Sequence, residues 1–178
     1  MEAKRIGTIV KERKFFNEQI EYIKSFSNEM RERNITPGLS YADFRMERAG
    51  IEVAQNMQLD ENDLVCHITR IRTGDGIPML FEECYFPEHM SDILQDNYQT
   101  SSLYATLLEN GIRIERTKDS YSAGLANFAT AHALNIKPNS AVMIRTRISY
   151  DKEGNIIEYT KMNYNASLYS YTIELYNH

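Results

Sequence analysis

The sequence predicts an α+β fold built on a mainly antiparallel sheet, on three observations. Two pairs of apolar runs, 64–73 with 77–86 and 141–150 with 156–165, flank the turn-forming stretches "GDG" and "DKEGN", which is how β-hairpins are punctuated. Helical segments separate the two hairpins instead of alternating strictly with single strands. The 178 residues, 42% of them hydrophobic, suffice for one domain with a sizeable core.

The elements follow in order. A short extended "YIKS" leads into a helix over "SNEMRERN" with Ser27 as its N-cap, ended by "ITPG". "LSYADFRMERA" alternates as a strand, with Leu39, Tyr41, Asp43 and Arg45 on one side and Ser40, Ala42, Phe44 and Met46 on the other. "IEVAQNMQL" is a short helix closed by the acidic loop "DENDL", and the first hairpin follows. Two short helices are expected at 88–96 and 102–110, the second stopped by Asn110-Gly111. Residues 112–123 form a strand, "LANFATAHALNI" a helix stopped before Pro138, and 141–165 the second hairpin. The chain closes on the aromatic strand "LYSYTIELY", whose Tyr169, Tyr171 and Tyr176 suit a packed strand or an oligomer interface.

Composition narrows the function. The net charge is −5, yet residues 1–14 hold five Lys or Arg against two Glu, so the rest is more acidic still. Such a body repels phosphate backbones and makes a poor nucleic-acid binder by itself. No apolar run approaches the ~20 residues that span a membrane, and the start has no signal-peptide core, so a cytoplasmic protein without membrane contact is expected. Cys66 and Cys84 are too few for a disulfide scaffold. The histidines at 67, 89, 132 and 178 show neither metal spacing nor a partner nucleophile, and there is no Walker loop or G-x-G-x-x-G. No catalytic residue, metal or cofactor is expected.

The polar positions are more informative. A two-residue Asp75-Gly76 turn in the first hairpin would put Glu82 on the face opposite Arg70 and Arg72. A three-residue "GDG" loop with Gly76 left-handed pairs Thr73 with Ile77 and aims Arg70, Arg72, Leu80 and Glu82 the same way. It also leaves Ile71, Met79, Phe81 and Tyr85 on the core face and sets Cys66 opposite Cys84, and it is the expected register. Two guanidiniums beside a carboxylate make either a surface ladder of salt bridges or a pocket for a small anion that also carries hydroxyls or an amine. Ser25 and Ser27 flank Phe26 at one helix start, Ser102 and Tyr104 mark another, and Glu158 and Tyr164 share a strand face six residues apart. Each also has a plain use, in capping or packing.

Taken in order, "SFSNEMRERN", "HITRIRTGDGIPMLFEECYFP", "SSLYATLLENGIRI" and "LNIKPNSAVMIRTRISYDKEGNIIEYTKMNYNASLYSYTIEL" resemble the UTRA domain. That domain is the effector-binding half of GntR-type transcriptional regulators of the HutC subfamily. "KRIGTIVKERK" resembles the last wing strand and exit linker of the preceding winged helix, so residues 1–18 are expected to be that remnant and 19–178 the effector domain. The resemblance implies a chorismate-lyase-like fold, a homodimer, a small-molecule effector and operator DNA held only through a winged-helix domain outside this chain. By position it implies a sugar phosphate, with Ser25, Phe26, Ser27, Arg70, Arg72, Ser102 and Tyr104 on the phosphate. Glu82, Glu158 and Tyr164 would meet the sugar's hydroxyl or amino groups. The alternatives are an organic-acid effector, a chorismate-lyase-like enzyme, and a dimerisation module without a working pocket.

Overall fold

The structure, a computed structural model, describes residues 23, 25–100 and 102–171. The expected wing remnant at 1–18, residues 22 and 24 of "YIKS", and 172–176 of the closing strand lie outside the described residues. The elements are α1 (Phe26–Glu32), β1 (Pro37–Arg48), α2 (Gly50–Met57), β2 (Leu64–Gly74) and β3 (Ile77–Pro87). A 3-10 turn (Glu88–Met90), α3 (Ser91–Asn97), α4 (Leu103–Glu109), β4 (Arg116–Leu125), α5 (Phe128–Leu134), β5 (Ala141–Tyr150) and β6 (Ile156–Asn165) follow. Among the described residues six strands make one sheet in the order β1-β2-β3-β6-β5-β4, and all neighbours are antiparallel. Two three-stranded meanders thus join along β3 and β6, and the α+β expectation holds.

Helices cover both faces. On one, Cys66, Ile68, Cys84 and Phe86 pack against Met90, Leu94, Leu103 and Leu107, which brings α3 and α4 down onto β2 and β3. Beside them Phe26 and Met30 of α1 close over Leu80, Met162 and Tyr164. On the opposite face α2 lays Val53, Ala54 and Met57 against Val65, Tyr85 and Tyr159. There α5 covers Val142 through Ala131 and Leu134. Local signals set the helix ends: Asn127 accepts from the Thr130 N–H at 2.8 Å at the start of α5, and Asn135 closes it with φ 51°.

The first hairpin departs from the expected register in an instructive way. Gly74 pairs with Ile77 across a two-residue turn, and Asp75 and Gly76 both have positive φ, 50° and 79°, as a type I′ turn requires. A bulge then inserts Met79, so Thr73 faces Pro78 while Arg72 faces Leu80 and Arg70 faces Glu82. The bulge restores the side-chain parity that the short turn would have lost. Arg70, Arg72, Leu80 and Glu82 therefore do share a face. Cys66, however, stands opposite Phe86, and Cys84 opposite Ile68. Met79 leaves the expected core face to join Met30 and Leu80.

Other boundaries shift for local reasons. Ser25, not Ser27, caps α1, accepting from the Asn28 N–H at 3.3 Å; Phe26 enters the helix because its ring is needed in the core. A bulge at Ser40 moves Leu39 to the Arg72 side, away from Tyr41 and Asp43. The helix expected at 88–96 divides into the 3-10 turn and α3, the strand expected at 112–123 runs from Arg116 to Leu125, and the helix expected at 125–136 contracts to α5. Residues 168–171 form no strand; Tyr169 packs instead on Tyr164, with ring centroids 4.1 Å apart. Leu94, the fully buried residue of α3, tests how far this core depends on the α3–α4 layer. Leu94→Ala is expected to lower stability by about 2–5 kcal/mol, seen as a lower denaturant midpoint at unchanged slope.

Candidate functional site

The site is laid out by cross-strand rows on the face covered by α1, α3 and α4. One row runs Arg70, Glu82, Met162, Arg145 and Tyr121 from β2 to β4. The next runs Ile68, Cys84, Thr160, Arg147 and Asp119, and on the other side lie Arg72, Leu80, Tyr164 and Met143. Residues opposite one another share a face, so two R-x-R pairs flank the central strands β3 and β6. Above them the starts of α1 and α4 leave a pocket of about 520 Å³, counting its open mouth. Ser25, Phe26, Arg70, Arg72, Glu82, Ser102, Tyr104, Glu158 and Tyr164 all line it, so of the residues expected at a ligand only Ser27 does not. The surface-ladder alternative is excluded, because Arg70 and Arg72 are only 1% and 3% exposed.

Each guanidinium is held differently. Arg70 donates from Nη2 to the Thr100 carbonyl at 2.6 Å, while its Nε lies 3.5 Å from Glu82 Oε1 without a hydrogen bond. Arg72 donates from Nη2 to Ser27 Oγ at 2.8 Å and from Nε to the Gly38 carbonyl at 3.3 Å. Its charged end lies 5.0 Å from the Phe26 ring centre and its Nη1 3.7 Å from Glu82. Ser27 thus orients Arg72 from beneath, and Phe26 supplies a ring face for the cation. Burial pushes the Arg72 guanidinium down to about 10, against the pull of Glu82, and it remains charged at neutral pH. Ser25 and Ser102 are occupied as helix caps, Ser102 accepting from the Ala105 N–H at 3.3 Å. Each hydroxyl keeps its own proton to donate.

The carboxylate end is equally fixed. Glu158 Oε2 accepts from Tyr104 Oη at 2.8 Å and Ser149 Oγ at 2.7 Å, and Oε1 accepts from Thr160 Oγ1 at 2.7 Å. Burial raises its carboxyl above the ordinary value, with those hydroxyls opposing the shift. Tyr104 therefore works first as a strut between α4 and β6. Tyr164 donates to the Met162 sulfur at 3.4 Å, with its ring stacked on Tyr169. Cys84 also lines the pocket, and burial lifts its thiol well above the ordinary value, which leaves it a poor nucleophile.

Sequence reasoning missed Arg145, Arg147 and Asp119. Asp119 accepts from Arg145 Nη2 at 2.6 Å and from Arg147 Nε and Nη2 at 2.7 and 2.9 Å. The stretch "RTRIS" repeats the spacing of "RIRTG", which was the available signal. Buried donor-only forks of this kind suit carboxylate and phosphate oxygens. His67 lies on the opposite face, stacked on Tyr85 and 2.8 Å from Glu47, so it cannot serve this pocket. Among the described residues no cluster of His, Cys, Asp and Glu has the geometry of a metal site.

Comparison with known proteins gives the family. Residues 32–170 match the family model of the UTRA domain. The chain is 26% identical over 166 residues to the transcriptional repressor NagR of Bacillus subtilis (strain 168), spanning 93% of this chain and 68% of that protein. It is 24% identical over 168 residues to MngR, the mannosyl-D-glycerate transport/metabolism system repressor of Escherichia coli (strain K12), spanning 94% and 70%. The solved structure of PhnF from Mycobacterium smegmatis superposes with a TM-score of 0.81 at 19% identity, covering 92% of this chain and 73% of that one. A GntR-family regulator from Enterococcus faecalis V583 gives 0.69 at 23%, covering 79% and 100%. At such identities the superpositions speak for the fold, while the family match and the sequence relatives speak for the role. The chain belongs to the UTRA family, and what it carries is the effector-binding domain of a GntR-type transcriptional regulator, not an enzyme.

Proposed function

We propose that the pocket binds a phosphorylated sugar, and that its occupancy sets the DNA affinity of a cytoplasmic, homodimeric regulator. The observation that carries this reading is Arg70. A guanidinium 1% exposed, lining a pocket, whose Nε is ion-paired with Glu82 at 3.5 Å but makes no hydrogen bond, is suited to an oxyanion that competes with that carboxylate. Arg70 and Arg72 take the phosphate, aided by the hydroxyls of Ser25 and Ser102 and by the ring of Phe26 beside Arg72; Tyr104, expected there too, gives its one proton to Glu158 and braces the site instead. Ser27 acts through Arg72. Glu82, Glu158 and Tyr164 then meet hydroxyl or amino groups of the sugar. Charge-assisted hydrogen bonds contribute about 1.5–3 kcal/mol each, so the phosphate dominates affinity. MngR is named for a mannosyl-D-glycerate system, which supports a carbohydrate-type effector.

Calorimetry on variants tests the assignment. Arg70→Ala should weaken binding of a hexose 6-phosphate by roughly 2–5 kcal/mol; undiminished affinity would remove Arg70 from the site. Ser27→Ala should cost less, about 1 kcal/mol, because Arg72 keeps its charge and loses one fixing bond. A loss as large as that of Arg70→Ala would mean that Ser27 touches the ligand itself.

A further inference from the structure

Arg145, Arg147 and Asp119 have no place in the phosphate reading, yet both arginines line the same pocket. Arg145 sits in the same cross-strand row as Arg70, with Glu82 and Met162 between them. Three strand spacings separate β2 from β5, roughly 14 Å between backbones, with the long side chains of both pairs bordering the space between. The β5 guanidiniums are rigid: Asp119 accepts three hydrogen bonds from them. Arg147 Nη1 also donates to Tyr104 Oη at 3.3 Å, and Arg145 lies 5.3 Å from the Tyr121 ring centre. A ligand held by its phosphate at Arg70 thus presents its far end to a second cationic wall. Arginine offers donors only, in a planar fork matched to oxyanions, and it repels an amine.

Building on the sugar-phosphate reading, we propose that this wall is a second recognition subsite, selecting sugar phosphates that carry a further acidic group, carboxylate or phosphate, at the end remote from Arg70. Asp119 is the positioning residue that sets the direction of both forks.

Calorimetric titration of the 178-residue chain with five probes tests this: glucose 6-phosphate, glucosamine 6-phosphate, 6-phosphogluconate, fructose 1,6-bisphosphate and unphosphorylated gluconate. At least one of the two acid-bearing sugar phosphates should bind tenfold or more tighter than glucose 6-phosphate, and which one does so tells carboxylate from phosphate. Arg145→Gln should collapse that ratio to within twofold, and Arg145→Lys should recover part of it. Equal binding of glucose 6-phosphate and both acid-bearing sugar phosphates, or a preference for the amino sugar, overturns the subsite. This ranking on the unsubstituted chain decides the matter even if Arg145→Gln fails to fold. Unphosphorylated gluconate binding in an Arg145-dependent, Arg70-independent manner would keep the wall and overturn the phosphate reading. Binding of none of these probes overturns both.

Discussion

A buried guanidinium costs several kcal/mol unless its donors are met, and this sheet buries four on one face, each no more than 5% exposed. The antiparallel register makes this possible by setting a carboxylate beside each pair: Glu82 lies opposite Arg70 and Asp119 opposite Arg147. The bulge at Met79 is part of the same arrangement, because without it the short Asp75-Gly76 turn would carry Glu82 to the other face. The helices are recruited as well. Ser27 of α1 and the Thr100 carbonyl before α4 each accept from a β2 arginine. The roof of the pocket is therefore fastened by the cations that line its floor.

That fastening suggests how a domain of this kind transmits occupancy. On the proposed reading, an anion arriving between Arg70 and Arg72 competes with the Thr100 carbonyl, Ser27 and Glu82 for the same donors. Any change in those bonds is felt at the starts of α1 and α4. Tyr104 couples α4 to Glu158 on β6 and Arg147 on β5, and the Thr100 carbonyl just before α4 accepts from Arg70 on β2, so both meanders meet at the start of one helix. A ligand shifts an equilibrium only through contacts that differ between states, and these bonds are where such differences arise. The apolar clusters behind them give the frame its rigidity.

Hairpins were legible in the sequence because period-two apolar runs bounded by glycine-rich turns are strong local signals; the second occupies the expected residues 141–150 and 156–165. The face shared by Arg70, Arg72 and Glu82 was also legible, though by a different turn. Side-chain parity survives any even change in register, and the buried residues of both strands enforce it. What failed was chosen by packing at a distance. Phe26 starts α1 early because Leu80 and Tyr164 wait beneath it, and Tyr169 stacks on Tyr164 instead of extending a strand. Arg145 escaped notice because Asp119, its partner, lies 26 residues away on another strand. A second R-x-R at the spacing of the first was the clue the sequence held.

The central claim, that buried arginines give this pocket its affinity by gripping an anion, is tested most directly by one paired calorimetric measurement. The chain would be titrated with a hexose 6-phosphate and, under identical conditions, with the same hexose lacking the phosphate. The account predicts measurable binding for the phosphorylated sugar, weakening as salt rises, and none for its partner. Equal binding of the two would contradict it and leave the arginines as structural pillars of a pocket that recognises something else.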